Sequence, residues 1–199
     1  MNEGRRLATL VIFCSQVFVK GKRMVDVVVA ILVLSVPVAA LIYAALSDLI
    51  TMTIPNRISL GLAVLFLLLA PLAGMGAVEL GFAALAALLV FIACFGLFAV
   101  NVMGGGDAKL LTAIALWYGL NSSLIAFLTA VAFAGGVVTL VFLLLRSQAH
   151  RVVSLGVPLP SSMVTAKKIP YGIAIAIGGM LTLAQSPLYM WALRLFSES

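Results

Sequence analysis

Apolar residues fall in six runs broken by Pro, Gly or charge: 27–46, 58–75, 80–100, 110–120, 124–145 and 171–193. A helix of about 20 apolar residues matches the hydrocarbon core of a bilayer, about 30 Å thick. The pattern therefore predicts an all-α, polytopic integral membrane protein, a bundle of six transmembrane helices. A further apolar run, Leu7 to Val19, rises only about 20 Å as a helix and ends in Lys20, Gly21, Lys22 and Arg23, so it does not span. Arg5 and Arg6 ahead of it resemble the start of a signal peptide, but no small-residue cleavage site follows. Residues 1–23 read as a basic interfacial segment, or as lying upstream of a true start at Met24, and 24–199 as one membrane domain. The longest connection, 146–168, is a basic loop with Pro158 and Pro160. Gly135-Gly136 and Gly178-Gly179 fall inside spans, where missing side chains let helices pack closely.

Composition agrees. The chain is 64% apolar and 9% charged, too apolar for any water-soluble fold to bury. The net charge of +6 does not indicate nucleic acid, because most basic residues lie in connections, where they set orientation and meet anionic lipid. Arg57, Lys109, Arg146, Arg151, Lys167 and Lys168 share one face; Arg5, Arg6, Lys20, Lys22, Arg23 and Arg194 share the other. The balance is even if the chain starts at Met1, and six to one if it starts at Met24. The second count puts the first face in the cytoplasm. Cys14 and Cys94 form no CxxC pair, and with the single His150, which reads as exposed, they give no metal site, so no cofactor is expected.

Of the six acidic residues, Glu3, Asp26, Glu79 and Glu198 sit near chain or span ends. Asp48 and Asp107 remain. Asp48 follows the first span, ahead of Ile54-Pro55-Asn56; Asp107 closes Gly104-Gly105-Gly106-Asp107, ahead of Lys109. Two spans separate the aspartates, so both end on one face. Pro55 must end the first helix before it, and Asn56 can cap the next. Gly104, Gly105 and Gly106 predict a bare-backbone loop that can adopt unusual angles and approach a ligand closely. The following run is short: from Asp107 to Leu120 it rises roughly 21 Å. Either Asn121 to Ser123 extend it, or the glycine loop dips below the membrane surface into a wet cavity. Lys109, two residues beyond Asp107, points away from it on a helix and reads as a surface anchor. Tyr43, Trp117 and Tyr118 lie near span ends and read as interfacial anchors, with substrate contact the alternative.

Two apposed carboxylates resist double ionisation, so one keeps a proton while the other stays charged. That pair can activate water and protonate a leaving amine, which is aspartic-protease chemistry and needs neither metal nor covalent intermediate. Asp107, in the first turn of its helix, is expected to carry the charge, and Asp48, near a carboxyl end, to keep the proton.

These residues resemble the type IV prepilin leader peptidases, membrane aspartic proteases of the GxGD class. The resemblance rests on Asp48 with Ile54-Pro55-Asn56, on Gly104-Gly105-Gly106-Asp107 read as GxGD with Ala108-Lys109, and on Lys168-Ile169-Pro170-Tyr171-Gly172 opening the last span. It implies a six-helix bundle with Asp48 and Asp107 catalytic, Gly104 and Gly106 shaping the active-site loop, and Pro55, Asn56, Lys109 and Pro170 in support. The implied reaction removes a short basic leader from a prepilin at the cytoplasmic face of the bacterial inner membrane. The implied partners are that prepilin and membrane lipid, with no nucleic acid and the oligomeric state left open. Larger relatives add N-methylation and a cytoplasmic domain whose paired cysteines bind zinc. This chain has neither the room nor the cysteines, and so looks like the short, peptidase-only form of tight-adherence (Flp-type) pili. In the family's topology the basic stretch before Met24 would be exterior, a departure that concerns that stretch. The alternatives are a preflagellin-type peptidase, an ion-coupled transporter with a paired-aspartate proton relay, and an inactive pilus-assembly subunit.

Overall fold

The computed structural model describes residues 3–147 and 169–197, with side chains from Arg23 onward except Arg146. Among these residues the chain is helical, with no strand: α1 (Glu3–Thr51), α2 (Asn56–Leu72), α3 (Ala77–Ala99), α4 (Gly105–Tyr118), α5 (Ser122–Ser147), α6 (Tyr171–Thr182), a 3-10 turn at Leu183–Gln185, and α7 (Pro187–Ser197). Helices occupy all six runs expected from the sequence. Three of them are long and apolar enough to cross a bilayer: Arg23–Thr51, Ala77–Ala99 and Ser122–Leu145. A fourth arises if α6 and α7, bent by 53° at Ser186, are taken as one broken span. The expected unbroken span over 171–193 is thus divided, because Ser186 is extended at ψ 142° and Pro187 starts a new helix. With 17 and 14 residues, α2 and α4 rise about 26 and 21 Å, short of the hydrocarbon thickness. The predicted six spans therefore correspond to three or four elements of spanning length.

No break separates residues 3–23 from the first predicted span, since α1 runs through Met24 as one helix. Pro37 lies inside this helix, in the core. The basic loop with His150, Arg151, Pro158, Pro160, Lys167 and Lys168 lies outside the described residues.

The short helix α4 is the most buried. Leu110, Ile114, Ala115, Trp117 and Tyr118 of α4 are essentially inaccessible, with α2 and α3 packed against this helix. A helix apolar on all sides belongs in a core. Trp117 donates its indole N–H to the Leu62 carbonyl at 3.2 Å and packs on Phe66. Tyr118 stacks on Phe127 at 4.6 Å and its hydroxyl meets Thr182 at 2.8 Å. Both rings are pegs of the core, and neither is an interfacial anchor or a substrate contact. Their polar atoms find partners on neighbouring helices, which removes the need for an interface. Tyr43 does stand exposed on α1. Gly119, at φ +67°, ends α4, and the Asn121 carboxamide accepts the Ser123 N–H at 2.8 Å to start α5. Asn121 to Ser123 hence belong to the next helix and do not lengthen α4.

The remaining helices dock through glycines. A Cβ on Gly178 would meet Val131 at 2.6 Å, and one on Gly179 would meet Leu41 at 2.7 Å, so α6 seats directly against α5 and α1. A Cβ on Gly135 would meet the Tyr171 ring at 3.3 Å, whereas one on Gly136 would meet none of the described residues within 4 Å. The packing role read from the two Gly-Gly pairs holds for three of the four.

Candidate active site

Two corners and the start of α6 meet at one end of the bundle. The first corner joins α1 to α2. The backbone leaves α1 through Met52, in the left-handed region at φ 54°, whose N–H still donates to the Asp48 carbonyl at 2.9 Å. The Ser47 hydroxyl donates to the Thr53 carbonyl, and the Thr51 hydroxyl to the Ser47 carbonyl, both at 2.8 Å. The corner is thus tied to the helix turn that bears Asp48. Pro55, at φ −61° and ψ 133°, is the residue before α2, with no side-chain cap. Asn56 is therefore the first helical residue and not the cap expected of it, because the proline has already made the extended step. Its Oδ1 accepts the Lys109 Nζ at 2.9 Å. Lys109 thus reaches the other corner and ties the two together.

The second corner joins α3 to α4. Asn101, at φ 59°, turns the chain out of α3, and Gly104 precedes α4. Gly105, Gly106 and Asp107 are the first three helical residues. The expected glycine loop with unusual angles is instead the start of a regular helix: among the described glycines only Gly74 and Gly119 have positive φ. What the glycines supply is room. A Cβ on Gly106 would meet the Ile54 Cβ at 3.1 Å and its backbone N at 3.4 Å. A Cβ on Gly105 would meet the Phe98 ring at 3.3 Å, and one on Gly104 would come within 2.7 Å of Asp107 Oδ2. Close backbone approach occurs, as expected of bare glycine, but toward the first corner.

The third contribution was not foreseen from the sequence. At the start of α6, Gly172 donates its backbone N–H to Asp48 Oδ2 at 2.6 Å. A Cβ there would meet the Asp48 Cβ and Oδ2 at 2.8 Å each, so only glycine allows this contact. The signal in the sequence is a glycine one residue inside a helix, where no turn requires it, in the stretch Pro170-Tyr171-Gly172. Pro170 itself precedes α6, at φ −75° and ψ 91°, and is buried. The contact places the Asp48 carboxylate at the amino end of α6, so both aspartates stand at positive helix ends.

Asp48 and Asp107 are 5% and 9% exposed and line one cavity of about 610 Å³. Thr53, Ile54, Asn56, Asn101, Gly104, Gly105, Gly106 and Tyr171 share its wall. Sequence separation of 59 positions is closed by folding, as the same-face reasoning required. Among the described residues no group of His, Cys, Asp and Glu could hold a metal ion. The cavity offers two carboxylates, glycine backbone and a few amides and hydroxyls, which is a set for proton transfer.

The sequence profile of the type IV leader peptidase family matches residues 35–140, just over half of the 199-residue chain, with both aspartates inside the match. The chain belongs to the type IV leader peptidase family. No curated protein and no solved structure matches it. Membership of this family makes the protein a leader-peptidase-like protease, and its long apolar helices make it an integral membrane protein. The matched stretch ends before α6, so Gly172, which holds Asp48, lies outside the match.

Proposed function

We propose that this protein is an aspartic endopeptidase that removes the short basic leader from type IV prepilins of the Flp type, at the cytoplasmic face of the inner membrane. Asp48 and Asp107 are its catalytic pair, and it works without methyltransferase activity. The observation that carries this reading is the convergence of the two carboxylates, from corners 59 positions apart, on one cavity. Two carboxyl groups sharing one proton supply both halves of peptide hydrolysis. The ionised partner takes a proton from water as its oxygen attacks the scissile carbonyl, while the protonated partner hydrogen-bonds the developing oxyanion. The carbon–nitrogen bond then breaks, and the leaving amine takes a proton from the pair. The Gly172 N–H holds Asp48 for this work, and Gly104 leaves Asp107 the room to face the cavity. Gly104, Gly105 and Gly106 present bare backbone beside Asp107, against which an extended leader can lie.

Co-expression with an Flp-type prepilin, followed by the pilin's mass, tests the reading. Wild type should yield the mature mass, and Asp48→Asn and Asp107→Asn the intact precursor at normal membrane levels. Cleavage by either variant at the wild-type rate would remove that aspartate from the pair. An intact precursor with wild type, across several pilins and one preflagellin, would leave a proton-relay transporter as the better reading.

A further inference from the structure

A second cavity, of about 770 Å³, runs along the bundle between α3 and α5. These two helices are long and apolar, and each packs chiefly on one neighbour, α3 on α4 and α5 on α6. The space between them is floored by Leu111 of α4. Among the described residues no charged side chain lines it, and Cys94, Thr139 and Tyr171 supply its polar groups. Met103 and Tyr171 line this groove and the aspartate cavity alike, so the two spaces adjoin.

We infer that the α3–α5 groove seats the membrane helix of the protein substrate, delivering the segment beside it to Asp48 and Asp107. This rests on the peptidase reading above. Backbone entering an apolar, lipid-facing groove must satisfy its own hydrogen bonds, and a helix does so. Small residues are the usual means by which one membrane helix admits another, and here Ala93, Ala132 and Gly136 line the groove exposed. Gly136 is decisive among them. Its partner glycines are filled by neighbouring side chains, while a Cβ on Gly136 would meet none of the described residues within 4 Å. Where the groove meets the aspartate cavity, the lining changes from apolar to polar. That order suits an apolar helix continued by an unwound polar segment. Among the described residues the aspartate cavity is lined by two carboxylates and by no Lys or Arg, a lining that suits a peptide segment better than a lipid phosphate. Tyr171 couples the two spaces: its ring borders Gly135 in the groove, and the next residue holds Asp48.

The test fills the groove without disturbing the fold. Gly136→Trp starts from a Cβ position with none of the described residues within 4 Å and extends an indole into the groove; Gly81→Trp, likewise exposed and with none within 4 Å but outside the groove lining, is its control. Gly136→Trp should raise KM for a membrane-anchored prepilin at least tenfold with kcat little changed, and Gly81→Trp should leave both near wild type. A second readout uses Gly136→Cys in a Cys14→Ala, Cys94→Ala, Asp107→Asn background, oxidised in membranes with a precursor bearing one cysteine in its apolar helix. A disulfide between enzyme and precursor is expected. Wild-type KM for Gly136→Trp overturns the inference and leaves the groove to lipid; a disulfide between two copies of the enzyme makes it a self-association face, and no disulfide at all also overturns it. If wild type fails to cleave, the peptidase reading falls, and the disulfide readout still decides what the groove holds.

Discussion

The two corners that bring the aspartates together are built on opposite principles. The α1–α2 corner is fixed by what its side chains add: hydroxyls of Ser47 and Thr51 bonded to nearby carbonyls, and Pro55 as a stop. The α3–α4 corner is fixed by what its side chains leave out, since Gly105 and Gly106 let Phe98 and Ile54 come into contact with bare backbone. The aspartates differ in the same way. Asp48 is held from outside by an N–H of α6, whereas Asp107 stands in the first turn of its own helix above a glycine. A donor from α6 sits on Asp48 and a missing Cβ leaves room beside Asp107, and these two features fail differently under mutation.

The largest effect should come from the carboxylates themselves. Each single Asp→Asn change should lower the cleavage rate about 10³- to 10⁴-fold, and the double variant should be no slower than the slower single, because the pair acts as a unit. Multiplying losses in a single-turnover assay would show two independent groups and break the pairing. Next come the glycines that aim them. Gly172→Ala forces a Cβ onto the Asp48 Cβ, which cannot swing away, and should cost about 10²-fold in kcat. Gly104→Ala meets only the far oxygen of Asp107, which can rotate, and should cost less; the reverse order would refute the contrast between external and internal aiming.

Smaller effects fall on stability. Gly106→Ala presses on Ile54 backbone and should destabilise by about 1–3 kcal/mol, as overpacking does, while Gly105→Ala meets a ring that can turn and should cost less. Thermal unfolding in detergent would read both. Smallest is the exposed tie between the corners. Lys109→Met should cost no more than about 1 kcal/mol and leave kcat near wild type, since a solvent-facing charged contact contributes little.

How far the sequence could be read depended on whether a feature was local. The aspartates, the proline stop and the shortness of α4 are written in consecutive residues, and the two apolar runs between Asp48 and Asp107 led to the expectation of one face. The depth of Trp117 and Tyr118 was not local: it follows from Leu62 and Thr182 on other helices, which no window around residue 117 contains. The Gly172 donor was hidden for the same reason, lying 124 positions from the carboxylate it holds. Asn56 had the chemistry of a cap and the position of a first helical residue; one step of backbone decided between them, and local propensity does not resolve one step.

The unequal lengths of the helices reach beyond the protein. Leu60, Leu67 and Leu68 of α2 are exposed on a rod about 26 Å tall, while α3 and α5, of 23 and 26 residues, stand about 35 and 39 Å. Lipid chains touching this molecule thus meet a low wall on one flank and high walls on the other. Bilayers adjust to such mismatch by thinning locally or by tilting the guest. Acyl-chain length becomes a lever on how deep the aspartate end of the bundle sits, and the host membrane becomes part of the enzyme's geometry.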